Sequence, residues 1–204
     1  DQALAVLREA LQGGDADAKL AAVRALTDWE DGTPLADVQA VAETTTDPKL
    51  KALAARGASR LEALGFDVTG MPNLALGGTA TNPDGLKSDG QGGPPAAAID
   101  GQRNTYWDEV DNQKLYQLRI QMKRPATVRA IRIIGFQHQS YAPKDFEIVC
   151  DDQVVKTLTD APYRENVLMV VFPPTRCTAI QLNITGSHGP SPAIRELEIY
   201  GKAE

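Results

Sequence analysis

The sequence has few of the residues on which catalytic and metal sites most often depend. Its 204 residues include two histidines and two cysteines, and aromatic side chains make up 5% of the total. Two cysteines without a CxxC spacing exclude a four-cysteine zinc site. There is also no nucleophile elbow, phosphate-cradling loop or paired-histidine motif. The sequence therefore favours a protein that is not an enzyme.

Long apolar runs and an excess of basic residues are also lacking. No segment approaches the roughly 18 consecutive apolar residues of a transmembrane helix, and no basic-then-apolar signal segment precedes the first helical pattern. The net charge is −6, with 7 basic and 12 acidic residues in 1–72 against 14 and 15 in 73–204. Because a basic surface is needed to neutralise phosphates, we expect no nucleic-acid partner and no membrane partner.

The two cysteines, Cys150 and Cys177, leave two alternatives open. They form one disulfide, or they remain buried thiols that behave as small hydrophobic side chains. The sequence does not reveal the redox compartment that decides between them.

Residues 1–65 show the apolar periodicity of helices. Alanine and leucine recur at helical spacing, and glycine, aspartate and proline punctuate the pattern. We predict four helices joined as two hairpins. The first helix ends at Gly13 and Gly14, and the second is capped by Asp15 or Asp17. The third begins at Pro34, and the fourth follows Thr46–Asp47–Pro48 and ends at Leu64, with Gly65 as its cap.

The segment DADAKLAAVRALTDW at 15–29, followed by a second helix pair, resembles a HEAT-type repeat over residues 1–64. A generic four-helix cap is the alternative, because many helical hairpins share this alanine and leucine spacing. Helical repeats bury their faces against neighbouring repeats. We therefore expect the chain to be a fragment of a longer protein whose helical repeats continue upstream.

After a linker at 66–72, the apolar period changes from helical to two. In YQLRIQMK at 116–123, apolar and polar residues alternate as in a half-buried strand. Runs without an intervening helix predict an antiparallel sandwich or barrel. The predicted strands lie at 116–123, 128–136, 146–150, 154–158, 167–172, 179–184 and 196–200.

Five segments of this second half carry a family resemblance. They are NLALGGTAT at 73–81, AAAIDGQRNTYWD at 96–108, YAPKDFEIV at 141–149, FPPT at 172–175 and SPAIRELEIYG at 191–201. Together they resemble the discoidin or coagulation factor 5/8 type C domain, a galactose-binding-like jelly roll that also includes the family 32 carbohydrate-binding modules. This resemblance implies an all-β jelly-roll sandwich at 73–204. Together with the all-α, HEAT-like helical hairpins predicted at 1–65, it makes the expected chain multi-domain.

The resemblance also implies a structural calcium ion. In many members, calcium ties the AIDG turn to an acidic residue near the C-terminus. The positions that match are Asp100 and Glu196 as carboxylates, Thr105 as hydroxyl and carbonyl, Gln102 as amide or carbonyl, and Ala97 and Arg195 as carbonyls. Calcium takes six to eight oxygen ligands from such mixed sources. The alternative is that Asp100 and Glu196 only cap turns and pair with nearby arginines.

A sugar site is implied at the loops 82–95, 108–109, 137–141 and 186–190. Candidate ligand-binding residues in them are Asp108, Glu109, His138, Tyr141 and His188. Acidic groups accept hydrogen bonds from paired hydroxyls, and flat rings suit the C–H face of a sugar. Several of these positions depart from the galactose-type pattern, so the glycan stays open. We expect Trp107 to pack in the core rather than to stack on a sugar.

These observations predict a non-catalytic, calcium-stabilised carbohydrate-binding module. Its expected partner is a glycan or polysaccharide, and we expect it to belong to a larger secreted protein that is extracellular or periplasmic. The alternative function is a scaffold for protein–protein interaction or adhesion, in which the helical half and the sandwich loops bind a protein partner.

Overall fold

The computed structural model describes residues 2–88 and 92–204, and the chain divides into two compact units at residues 67 and 68. This division falls inside the predicted linker. We call residues 1–67 the helical unit and residues 68–204 the β unit. Among the described residues there are four α-helices, and no helix is long and apolar enough to cross a membrane.

The helices of the helical unit begin and end close to the predicted positions. They are α1 (Gln2–Gly13), α2 (Ala16–Thr27), α3 (Leu35–Thr44) and α4 (Pro48–Leu64). Asp15 caps α2 by accepting from the backbone N–H of Ala18 at 2.8 Å, so the first of the two predicted caps is the correct one. Asp47 caps α4 in the same way, and Pro48 occupies its first turn.

The helical unit has its own apolar core. Buried side chains come from all four helices: Leu4, Val23, Leu26, Val38, Leu50, Ala54, Ala58 and Leu61. Gly57 lets α4 approach closely, because a Cβ at this position would collide with Thr27 and press on Val38. The helices are confirmed, whereas their assignment as a HEAT-type repeat remains a prediction.

The β unit is an antiparallel sandwich. Its strands are β1 (Thr79–Thr81), β2 (Trp107–Asp108), β3 (Tyr116–Gly135), β4 (Pro143–Cys150), β5 (Gln153–Leu158), β6 (Val167–Ser187) and β7 (Ala193–Ala203), with a short 3-10 helix at Pro95–Ala98. Hydrogen-bonded strands follow the order β2-β7-β3-β6-β4-β5, and β1 also pairs with β3. The all-β jelly-roll expectation is confirmed at this level.

Two long strands each contribute to both layers of the sandwich. The first part of β3 pairs with β1 and with the end of β6, and its second part pairs with β7 and with the start of β6. The sequence prediction split β3 at 123–128 and β6 at 172–179, and this was wrong. Pro125 and Pro173–Pro174 sit where the pairing register shifts, so these residues form bulges and bends within continuous strands.

The core of the β unit lies between the layers. Its largest fully buried side chains include Trp107, Phe146, Leu118, Ile120, Ile131, Ile133, Ile148, Ile180, Leu182 and Ile184. The core position predicted for Trp107 is therefore confirmed, with 0% of its surface exposed. In this structure Cys150 and Cys177 are free cysteines buried in the same core.

Candidate functional site

Strand register brings three of the predicted sugar-binding segments to one end of the sandwich. Pro143, the first residue of β4, pairs with Ser187, the last residue of β6. Asp108 of β2 pairs with Ala193, the first residue of β7. The connections 136–142 and 188–192 and the end of β2 therefore lie side by side.

Hydrogen bonds hold the two connections against each other. The backbone N–H of His188 donates to the carbonyl of Ala142 at 3.1 Å, and that of Ala193 donates to the carbonyl of Tyr141 at 2.9 Å. Gly189 is packed so closely on Ser140 that a Cβ would overlap the Ser140 carbonyl. The predicted convergence of the 137–141 and 186–190 loops is present in the structure. Of the predicted 82–95 loop, residues 89–91 lie outside the described residues.

The candidate rings in these loops differ in exposure. His188 is exposed, whereas His138 and Tyr141 are half-buried. The Nδ1 atom of His138 lies 2.9 Å from the amide oxygen of Asn166, which can only accept. The imidazole also stacks beside Tyr163, with 6.1 Å between ring centroids.

The two candidate acids lie beneath the surface. Asp108 is 8% exposed and Glu109 is 0% exposed. The Asp108 carboxylate accepts from the hydroxyl of Ser191 at 3.0 Å and from the backbone N–H of Glu109 at 2.9 Å. The sequence predicted that these two acids contact a glycan directly, and in this structure both carboxylates are buried. Through its hydrogen bond with Ser191, Asp108 supports the 188–192 connection.

Glu109 is a buried acid held beside the core tryptophan. Its Oε1 accepts from the indole N–H of Trp107 at 2.8 Å and from the side-chain amide of Asn82. Oε2 is buried and has no hydrogen-bond partner among the described residues. Burial raises the pKa of Glu109 to about 7, and the negative charges of Asp84 and Asp108 act in the same direction.

A second cluster surrounds the turn that was predicted to bind calcium. Gly101 has φ +77°, a left-handed conformation that suits glycine, and turns the chain back on Asp100. The Asp100 carboxylate accepts from the backbone N–H of Gln102 at 2.8 Å and from the hydroxyl of Thr105 at 2.9 and 3.0 Å. The Thr105 hydroxyl also lies 3.1 Å from the Gln102 carbonyl.

The side chain of Glu196 on β7 interacts with this turn, at Asp100, Gly101 and Gln102. It is 4% exposed, and its Oε1 is buried without a hydrogen-bond partner in the described part of the chain. Burial and the neighbouring Asp100 carboxyl raise the pKa of Glu196 to about 7. The structure therefore brings together Asp100, Gln102, Thr105 and Glu196.

The two remaining predicted calcium ligands are Ala97 and Arg195. Ala97 is buried and lines a cavity together with Asp100 and Thr105. The guanidinium of Arg195 donates to the carbonyl of Arg103 and lies 5.0 Å from the ring centre of Phe136. In residues 2–88 and 92–204, no group of three or more His, Cys, Asp or Glu side chains is arranged to hold a metal ion. A cation here would need carbonyl and hydroxyl oxygens in addition to two carboxylates.

Sequence reasoning missed a row of aromatic rings between these two clusters. Tyr106 stacks on Phe136 with ring centroids 4.2 Å apart and an interplanar angle of 13°. Phe136 in turn contacts Tyr141 at 5.8 Å and 42°. The available signal was the position of Tyr106 directly before the core Trp107. Successive side chains of an extended segment point to opposite faces, so the Tyr106 ring points away from the core.

Comparison with known proteins covers the β unit. The model of the F5/8 type C domain matches residues 78–197, more than half of the chain. No curated protein sequence matches. Chitosan-binding module 1 of a chitosanase/glucanase from Paenibacillus sp. IK-5 is a similar solved structure, with 23% identity, a TM-score of 0.54, and coverage of 64% of this chain and 99% of the module.

Two further solved structures contain sugars. The family 32 carbohydrate-binding module of C. perfringens NanJ, in complex with galactose, has 23% identity and a TM-score of 0.52 and covers 64% of this chain and 98% of its own. Chitosan-binding module 2 of the Paenibacillus enzyme, in complex with chitotriose, has 18% identity and a TM-score of 0.54, covering 63% and 100%. These likenesses show the shared fold.

Proposed function

The chain belongs to the F5/8 type C domain family, and on that premise we propose that its β unit is a carbohydrate-binding module that holds a glycan without transforming it. The observation that carries the proposal is the convergence of the 137–141 and 186–190 loops at one end of the sandwich. Similar folds that were solved with galactose and chitotriose support the same assignment.

The proposed direct contacts are His138, Tyr141 and His188. Tyr141 and His188 offer flat surfaces for the C–H face of a sugar ring, and the imidazoles donate to or accept from hydroxyl groups. Asp108 supports these loops through Ser191, and Glu109 lies behind them. Because the contacts are few and lie at the surface, we expect dissociation constants of roughly micromolar to millimolar.

A glycan array probed with the full chain in calcium tests this proposal. The site variant is His188→Ala combined with Tyr141→Ala. The matched control is Asp152→Ala, which removes an exposed side chain from the turn at the opposite end of β4. We expect selective binding by the native chain and the control, and its loss in the site variant.

Two outcomes contradict the proposal. One is the absence of binding to every glycan by a folded chain, which would move the function to protein recognition. The other is equal binding by the native chain and the site variant, which would place a glycan site elsewhere. Circular dichroism of each variant establishes that it is folded.

We also propose that a calcium ion stabilises the turn at Asp100. The buried, unpaired Oε1 of Glu196 and the adjacent Asp100 carboxylate fit a cation, because two neighbouring carboxylates repel each other when both are ionised. Asp100, Glu196, Thr105 and Gln102 would supply carboxylate, hydroxyl and carbonyl oxygens, the ligand types that calcium prefers. Ala97 and Arg195 would add backbone carbonyls.

Thermal unfolding in excess calcium and in excess chelator tests the ion. We expect a higher melting temperature for the β unit in calcium, since a ligand that binds only the folded state stabilises it. The Glu196→Gln variant should lose most of this difference, whereas Glu165→Gln, an exposed acid in another turn, should keep it. Equal melting temperatures of the native chain with and without calcium would refute the proposal.

The proposal also covers the location of the protein, which rests on family membership, and the role of the helical unit, which rests on the sequence. We propose that the module is extracellular or periplasmic, where it meets polysaccharide, and that it is part of a larger secreted protein. Detection of the protein only in the cytoplasmic fraction of its native cells would contradict this. The helical unit, whether a HEAT-type repeat or a generic cap, is the part proposed to bind a protein partner.

A further inference from the structure

A cavity of about 400 Å³ is lined by Tyr106, whose ring stacks on Phe136. Its volume falls within the roughly 300–1,000 Å³ of small-molecule clefts. Pro94, Ala96 and Ala97 give it apolar walls, and Asn104 contributes an exposed amide. Asp100 and Thr105, at the acidic turn, also line it.

The aromatic row connects this cavity with the glycan loops. Tyr106 lines the cavity and stacks on Phe136, which contacts Tyr141 of the 137–141 loop. All three rings are half-buried, so each keeps part of its surface in contact with solvent. The backbone of Gly93 fixes the near side of the cavity, because its N–H donates to the Tyr106 carbonyl at 2.8 Å.

We propose that this cavity is a second subsite, which takes a further pyranose ring of an oligosaccharide whose first ring is held at Tyr141 and His188. The inference rests on the proposed glycan-binding function and names its ligand class: a chain of two or more linked sugars rather than a monosaccharide. Apolar walls and the Tyr106 ring suit the C–H face of a pyranose, and the Asn104 amide both donates to and accepts from hydroxyls.

The exposed position of Ala96 allows the subsite to be blocked selectively. Ala96 lies on the short helix Pro95–Ala98 with its side chain in the cavity wall, and no predicted contact of the first ring depends on it. Ala96→Trp fills the cavity from this wall. Asn104→Ala removes the polar partner and changes no buried group, so it serves as a second variant if the larger side chain disturbs folding.

Isothermal titration of the full chain with the one-, two- and three-ring members of the glucosamine and galactose series tests the subsite. We expect at least a tenfold gain in affinity between one ring and three in the preferred series. Ala96→Trp should abolish this gain and leave the affinity for the single ring unchanged. Asn104→Ala should reduce the gain at least threefold, and Asp152→Ala should retain it in full.

Affinity that is independent of ring number, or a full gain in both cavity variants, would overturn the second subsite and leave the glycan-binding function intact. If the folded chain binds none of these sugars and no glycan on the array, both the second subsite and the glycan-binding function are overturned. The two failures are therefore distinguishable in the same experiment.

Discussion

Replacing Glu109 by glutamine should stabilise the β unit at pH 8 and leave its stability nearly unchanged at pH 4.5. In the folded chain, burial raises the pKa of Glu109 from its ordinary value of 4.5 to about 7. The folded state therefore retains a proton that the unfolded chain releases, so this group makes stability fall as the pH rises from about 4.5 to 7. Glutamine keeps the Oε1 acceptor for Trp107 and carries no charge at any pH.

The magnitude follows from proton linkage. Each tenfold change in proton affinity corresponds to about 1.4 kcal/mol, so a pKa raised from 4.5 to about 7 corresponds to about 3–4 kcal/mol at most. Other acids, Glu196 among them, titrate in both proteins and cancel in the difference between variant and native chain. The difference in unfolding free energy should therefore grow from near zero at pH 4.5 to as much as about 3–4 kcal/mol at pH 8.

Urea unfolding followed by tryptophan fluorescence measures this difference. A Trp29→Phe background leaves Trp107 as the reporter, because the sequence has two tryptophans and Trp107 donates to Glu109. Glu165→Gln, at an exposed acid of the same unit, is the control and should show no such trend. A difference that does not change with pH, or a glutamine variant less stable than the native chain at pH 8, would refute the reasoning.

Three further predictions follow from individual contacts. Asp47→Ala should destabilise the helical unit by about 1 kcal/mol in thermal unfolding, because Asp47 caps α4 by accepting from two backbone N–H groups. Asp47→Asn, which keeps an acceptor oxygen, should retain most of the native stability. Phe146→Ala should cost the β unit about 3–5 kcal/mol, since the ring is 1% exposed in the core; a cost below 1 kcal/mol in urea would contradict this. Cys150 and Cys177, both buried, should react with a thiol reagent only after unfolding, and rapid labelling of the native chain would show that they are accessible.

The helices and the fold of the β unit were predictable because local chemistry determines them. Asp15 and Asp47 are N-terminal caps followed by helical periodicity. Asp15 was one of two predicted caps, and Asp47 lies in the segment predicted to precede the fourth helix. Two-residue alternation located most of β3 and β6. The continuity of these strands was not predictable, because proline usually ends a strand. Pro125 and Pro173–Pro174 lie within β3 and β6 at bulges, and these bulges depend on tertiary pairing.

The position of the candidate site was predictable from the sequence, whereas the orientation of its side chains was not. Family motifs located the loops, and strand register brings two of them together. Motif position does not show which way a side chain points, and the inward direction of Asp108 and Glu109 follows from packing around Trp107 and Ser191. The row formed by Tyr106, Phe136 and Tyr141 joins residues far apart in sequence, so no local pattern reveals it.

The imidazole proton NMR signals of the full chain during a glycan titration test the central claim most directly. The sequence has two histidines, His138 and His188, and both lie in the proposed site, so a His188→Ala variant assigns both signals. With the glycan that the array selects, the account predicts that the His188 signal shifts and saturates together with the binding isotherm. Binding with both histidine signals unmoved would place the glycan elsewhere and contradict the account.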